Sequence, residues 1–304
     1  MNHPTPPTPV IVVFGMHRSG TSVGMNVLSS LGVACGEDLI PAGRSNTEGF
    51  WEHAEIVAVQ DRLLARLDRL WHGSRGTFPL PDGWLESGPA RRAERDLTEI
   101  LIREVASHPG GVWGFKDPRT ITLWPLWQRI WGKVNMEPVP IAMIRHPDAV
   151  VRSLAKHNGV SAERALLIWL QHNVEILRHL GDRLHLVIDF DLLVNAPDVQ
   201  VDRIAQALNS IIDIEPEARG AAAAKVLVNM RTHDAVPDAP KNLLAAQVYG
   251  ALRSHATGHQ DKEEYAQAIA LYDAAHEVFS TWRHERSNVL TDWILRFVVS
   301  RLKS

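Results

Sequence analysis

The chain has 304 residues, 45% hydrophobic and 22% charged, with a formal net charge of −3. That apolar content can bury a core, and the small negative charge leaves no electrostatic footprint for nucleic acid or an anionic membrane. One cysteine, Cys35, excludes an intrachain disulfide framework and a thiolate zinc site, which suits a reducing, cytoplasmic setting.

Residues 1–9 contain four prolines and no basic or apolar block, so they read as an extended or disordered tail and not a signal peptide. Val10-Ile11-Val12-Val13-Phe14 is a short β-branched run closed by Gly15, the mark of a strand buried on both faces of a parallel sheet. Residues 20–31 then take helical spacing and stop at Gly32. Further strands are expected at 112–115, 140–144 and 184–188, with helical patterns over 54–72, 89–108, 120–131, 147–157 and 161–180 between them. Strands alternating with helices predict βαβ units. After about residue 190 the strand signal fades. Residues 197–208 and 262–283 read as helices and 232–240 as a loop, with an apolar helix over 288–302. That last helix is expected to pack on the domain, a partner or membrane-surface role being the other reading. No run is long enough to span a bilayer. The expectation is one α/β domain over residues 10–304: a P-loop-like three-layer fold with a central parallel sheet, elaborated by C-terminal helices from about 196 to 304.

Gly15-Met16-His17-Arg18-Ser19-Gly20-Thr21-Ser22 lies between the first strand and the first helix. There, backbone N–H groups and a helix N-terminus can cradle an anion. Against the triphosphate pattern G-x-x-x-x-G-K-[ST], both glycines and the final hydroxyl are present, but Thr21 stands where the lysine belongs. That lysine reaches the β- and γ-phosphates, so its loss argues against a kinase or ATPase. Arg18 places a cation inside the loop instead, and a donor with one phosphate and a terminal sulfate needs the shorter reach. Downstream, Arg145 ends a predicted strand and Ser153 lies on the helix that follows. In an open α/β sheet ligands sit at the carboxyl ends of strands, where a guanidinium offers a planar fork to phosphate.

These residues resemble those of the sulfotransferases that use 3′-phosphoadenosine 5′-phosphosulfate, closest to bacterial and Golgi-type members with an R-S-G-T-[ST] loop. The resemblance implies that Arg18, Ser19, Gly20, Thr21 and Ser22 bind the 5′-phosphosulfate, with Gly15 and His17 in the same loop. It implies that Arg145 and Ser153 hold the 3′-phosphate. Asn46-Thr47-Glu48-Gly49-Phe50-Trp51-Glu52 and Phe115-Lys116-Asp117-Pro118-Arg119 resemble the N-x-x-G-[FY]-[FW]-E and K-D-P-R segments of bacterial relatives. The resemblance covers roughly residues 10–195.

Sulfuryl transfer needs fixed positive charge for the leaving phosphate and a base for the acceptor proton. Arg18 and Lys116 are the candidate cations, and the resemblance puts Lys116 on the leaving group; the alternative for Lys116 is a salt bridge with Asp117. Glu52 is the first candidate for the base, the alternative being a structural carboxylate bonded to loop N–H groups. Asp38 is the second candidate, by resemblance to the tyrosylprotein enzymes. His17, His53 and His146 are close in sequence but fit no family histidine motif. Fifteen histidines without metal-ligand spacing predict no metal. Trp124, Trp127 and Trp131 share one helix face, for core packing or for stacking on a sugar. The expected partner is a small-molecule or glycan acceptor. Two competing readings stay open: a P-loop kinase or NTPase-like nucleotide-binding protein, and an inactive module that binds an adenosine bisphosphate or a sulfated ligand.

Overall fold

In the computed structural model, residues 6–41, 49–73, 75–228 and 239–285 are described. The order is β1 (Thr8–Phe14), α1 (Thr21–Ser30), α2 (Ala54–Arg66), α3 (Gly88–Ala106), β2 (Gly114–Lys116), α4 (Trp124–Trp131), β3 (Met136–Ile144), α5 (Pro147–Asn158) and α6 (Ala162–Leu180). Then follow β4 (Leu186–Asp189), α7 (Phe190–Asn195), α8 (Pro197–Leu208), α9 (Pro216–Val228), α10 (Leu243–Ala256) and α11 (Lys262–Glu285). Asn46, Thr47 and Glu48, most of the expected 232–240 loop and the expected 288–302 helix lie outside the described residues.

The four strands form one parallel sheet in the order β2-β1-β3-β4. Its two faces follow the period of two in β1. Val10, Val12 and Phe14 enter one apolar cluster with Phe115, Trp127 and Trp169, whereas Ile11 and Val13 enter the other with Leu28, Met143 and Ile204. Helices on both faces make three layers, as the pattern predicted. The strand begins at Thr8, two residues into the expected tail, because the Thr8 N–H donates to the Asn135 carbonyl (3.0 Å) and Thr8 pairs with Met136.

β3 carries Pro138 and Pro140 in the middle of the sheet. The Pro140 carbonyl accepts from His185 (2.9 Å), so the missing N–H of Pro140 faces the β4 side. β4 starts only at Leu186, opposite Ile141, and the ladder thus begins where β3 regains its donors. The three tryptophans of α4 are core: Trp124 and Trp127 are fully buried, and Trp127 stacks between Phe115 (5.0 Å) and Trp131 (5.6 Å). α2 stops at Arg66, short of residue 72, at a turn with Asp68 in the left-handed region (φ 55°).

This topology makes a crevice. The chain leaves β1 toward β2 on one side and leaves β3 toward β4 on the other, so the switch point lies between the carboxyl ends of β1 and β3. Phe14 ends β1 and runs into the Gly15–Gly20 loop; Ile144 ends β3 and runs into Arg145. Both sequence motifs therefore flank one crevice.

Candidate active site

The loop after β1 has a backbone that few residues could adopt. Gly15 has φ 153°, and a Cβ there would stand 2.6 Å from the Met143 carbonyl oxygen. Gly20 has φ 81°, and a Cβ would meet the Phe190 ring at 2.0 Å. Arg18 takes φ 71°, in the left-handed region that residues with a Cβ adopt uncommonly. Ser19 is buried and donates its N–H to the Met16 carbonyl (3.1 Å). The N-cap of α1 is Gly20, in the left-handed region and without a side chain to cap the helix, so the helix starts directly at the end of this loop. Thr21 is buried; the Ser22 hydroxyl donates to the Phe50 carbonyl (3.1 Å).

Arg18 reaches across the crevice. Its Nε donates to the Ser153 hydroxyl on α5 (3.0 Å), and Arg145 donates to the Arg18 carbonyl (3.2 Å). Arg145 also lies over the Phe190 ring, 4.5 Å from its centroid, a cation–π contact. Phe190 thus packs under both Gly20 and Arg145. Burial lowers the Arg18 pKa from its usual value. The pKa of His157 on α5 is lowered too, by burial first and then by Arg18 and Lys156.

On the other flank, Lys116 is the last residue of β2 and is buried. Its ammonium donates to the Phe50 carbonyl (2.7 Å) and to Glu52 Oε1 (2.8 Å). The Phe50 carbonyl therefore accepts from both Ser22 and Lys116. Glu52 is buried, with Arg119 Nη1 3.9 Å from its Oε2. Burial lowers the Lys116 pKa, and Glu52 opposes the shift. The expected alternative, a Lys116–Asp117 salt bridge, is replaced by the Glu52 pair: Asp117 bonds to the Arg119 N–H (2.9 Å) and guanidinium (2.8 Å). Burial raises the Asp117 pKa while Arg119 opposes that. Burial lowers the Arg119 pKa, but Asp117, Asp61 and Glu52 outweigh it and the net shift is upward. Behind Asp117, fully buried Gln60 donates to its Oδ2 (2.8 Å) and to Thr120 (3.2 Å), and accepts from the Trp127 indole (3.0 Å).

Asp38 is exposed. Its carbonyl accepts from Ala54 (2.8 Å), and Ile40 donates to the Glu52 carbonyl (2.8 Å), so the 38–40 segment runs alongside Glu52. His53 is buried at the start of α2, its Nε2 3.3 Å from Glu104, and His146 caps α5 by accepting from the Asp148 N–H (3.3 Å). Both serve the scaffold. His17 stacks on Trp71 (4.6 Å between ring centroids); burial and then Arg119, His172, Lys116 and Arg18 hold its pKa well below the usual imidazole value. The imidazole of His17 is therefore favoured in its neutral form.

Several residues here had no role assigned from the sequence. Arg119 lay in the quoted K-D-P-R segment. His172, on α6, interacts with the Gly15 backbone and its Nε2 is buried without a hydrogen-bond partner among the described residues; burial pushes its pKa down to about 4. Gln60 and Trp71 carried no motif at all.

Cys35 is buried and burial pushes its thiol up to about 11, so it is no nucleophile here. Among the described residues no group of three or more His, Cys, Asp or Glu side chains could hold a metal ion. Among them no helix is long and apolar enough to cross a membrane.

No family model matches the chain, and no curated protein matches it. Among solved structures it is similar to the sulfotransferase domain from the Synechococcus PCC 7002 olefin synthase, at 17% identity and a TM-score of 0.48, over 90% of this chain and 97% of that one. It is similar to TT1252 from Thermus thermophilus at 13% identity and a TM-score of 0.35, over 75% of this chain and all of the other. Likenesses this remote bear on neither activity nor ligand.

Proposed function

We propose that this protein transfers a sulfuryl group from 3′-phosphoadenosine 5′-phosphosulfate to an acceptor hydroxyl. The observation that carries the reading is the convergence at the switch point of Arg18, Arg145 and Ser153, which come from separate loops and a helix and are joined by bonds of 3.0 and 3.2 Å. A cation-rich crevice beside an uncapped helix start fits a compact, multiply charged donor. In this reading the Gly15–Ser22 loop with His17, Ser19, Gly20 and Thr21 takes the 5′-phosphosulfate. Arg145 and Ser153 take the 3′-phosphate.

The acceptor oxygen attacks sulfur and the bridging S–O bond breaks, leaving its electron pair on adenosine 3′,5′-bisphosphate. Lys116 and Arg18 stabilise the charge that builds on that leaving group. Glu52 receives the acceptor proton once Lys116 turns toward the donor, and Asp38, on the adjoining segment, is the other carboxylate within this edge of the site. A carbohydrate, glycolipid or secondary-metabolite hydroxyl is the acceptor class in this reading. The location of the protein is taken to be the cytoplasm.

The test is a melting curve. Adenosine 3′,5′-bisphosphate raises the melting temperature without magnesium, through binding to the native state, and AMP does so much less. Stabilisation by ATP with magnesium in excess of that by the bisphosphate sinks the reading in favour of a nucleotide triphosphate protein. Incubation with labelled donor and a cell extract then identifies what becomes sulfated.

A further inference from the structure

α2 and α3 pack antiparallel, as the pairs Glu55–Arg103 (2.8 Å) and Arg62–Asp96 (3.8 Å) show. Between them lies a cavity of about 350 Å³. Its floor is apolar: Val59, Leu63 and Ala93 are all buried. Its rim is cationic, with Arg62, Arg66 and Arg92 against the single carboxylate of Asp96. Asp96 is already engaged by Arg62. Arg66 and Arg92 are exposed and have no ion-pair or hydrogen-bond partner among the described residues. On a chain of net charge −3, unneutralised guanidinium groups over an apolar hollow are a local departure from the global balance.

The cavity is separate from the crevice. It opens on the outer side of α2, whereas Gln60 and Asp61 on the same helix face Asp117 and Arg119. A second hollow of about 290 Å³ continues the seam and shares Val59, Arg62 and Asp96, but there Glu55 and Glu99 offset Arg103. The excess of positive charge is thus confined to the Arg66–Arg92 end. An inorganic anion would leave the floor wet, and an uncharged apolar molecule would leave the guanidinium groups unmatched.

We propose that the α2–α3 cavity binds a small amphipathic organic anion, its carboxylate, phosphate or sulfate between Arg66 and Arg92 and its apolar body on Val59, Leu63 and Ala93. A planar guanidinium fork suits each of those heads, and the floor supplies the area an apolar chain or ring needs.

The probe is anilinonaphthalene sulfonate, titrated by fluorescence into the full chain saturated with adenosine 3′,5′-bisphosphate so that the crevice is blocked. One class of site is expected to remain. Arg66→Ala with Arg92→Ala weakens it roughly tenfold, since two exposed charge contacts are lost. Phenylnaphthylamine, which has the rings without the sulfonate, binds both proteins alike. Both arginines are exposed, so circular dichroism and the melting temperature of the double variant match those of the parent. An unchanged sulfonate affinity in the double variant overturns the proposal, as does loss of all binding when the bisphosphate is present. Neither result touches the donor assignment, which the melting curves test alone.

Discussion

Replacing Lys116 by methionine isolates the buried pair on which the acceptor side of the crevice depends. Methionine keeps the stem and removes the charge. Two bonds go with it, to Glu52 (2.8 Å) and to the Phe50 carbonyl (2.7 Å). The Glu52 side chain is only 8% exposed, so its carboxylate is left buried, with Arg119 at 3.9 Å as its remaining ion pair among the described residues. Removing one partner of a buried ion pair costs about 3–5 kcal/mol, and the residual Arg119 contact places Lys116→Met near the lower end, about 3 kcal/mol. In urea, with a slope of about 3 kcal/mol per molar for a chain of this size, the midpoint falls by about 1 M. Adding Glu52→Gln removes the stranded charge, and the double variant recovers all but about 1 kcal/mol, the residue being the lost bond to Phe50. A midpoint unchanged in Lys116→Met refutes the reasoning. So does a double variant as unstable as the sum of the two single ones, because the pair would then not be what holds these groups.

Three other outcomes are expected. Glu52→Gln alone lowers kcat by roughly 10²–10⁴-fold while adenosine 3′,5′-bisphosphate still binds; a larger loss in Asp38→Asn transfers the proton to Asp38, and near-full turnover makes Glu52 a scaffold carboxylate. Arg145→Ala raises the donor KM about tenfold or more, a charge-assisted phosphate contact being worth about 1.5–3 kcal/mol; an unchanged KM removes Arg145 from the donor site. His172 has a folded-state pKa of about 4, below the usual 6.5, so the unfolded chain binds the extra proton between those values. Its contribution is fully present above pH 6.5 and is lost as pH falls toward 4, at about 1.4 kcal/mol per unit, and His172→Asn flattens that stretch of the stability curve.

How far the molecule could be read in advance depended on the range of each interaction. β1, β3, β4 and the helices α5, α6 and α8 announce themselves through period, prolines and glycine stops, which are local. α9 and α10 did not, because Ala221–Ala224 and Ala245–Ala246 count for neither an apolar nor a polar face. β2 begins two residues later than expected, since the 112–113 stretch instead pairs with Ala34 through an isolated bridge at Trp113. In the site, the loop and Arg145 were legible because a strand end, a glycine turn and a cation lie within a few residues. Gln60, Trp71 and His172 were not: each acts through a contact with a distant segment, and a lone glutamine, tryptophan or histidine on a helix carries no such address. The same limit applied to the ion pair of Lys116: the alternative to its role as a free cation was a bond to Asp117 next door, and the carboxylate it meets is Glu52, 64 residues away in the chain.

The doubly accepted carbonyl of Phe50 ties the phosphate loop, through Ser22, to the end of β2, through Lys116. The acceptor in this knot belongs to the main chain, so the identity of the side chain at position 50 is free of it. A leucine or tyrosine there would leave the two donors where they are. Insertions and deletions have no such freedom, since a shift of one peptide unit moves the oxygen itself. Position 50 can therefore vary in its side chain while the peptide that joins the two segments must keep its place in the count of residues.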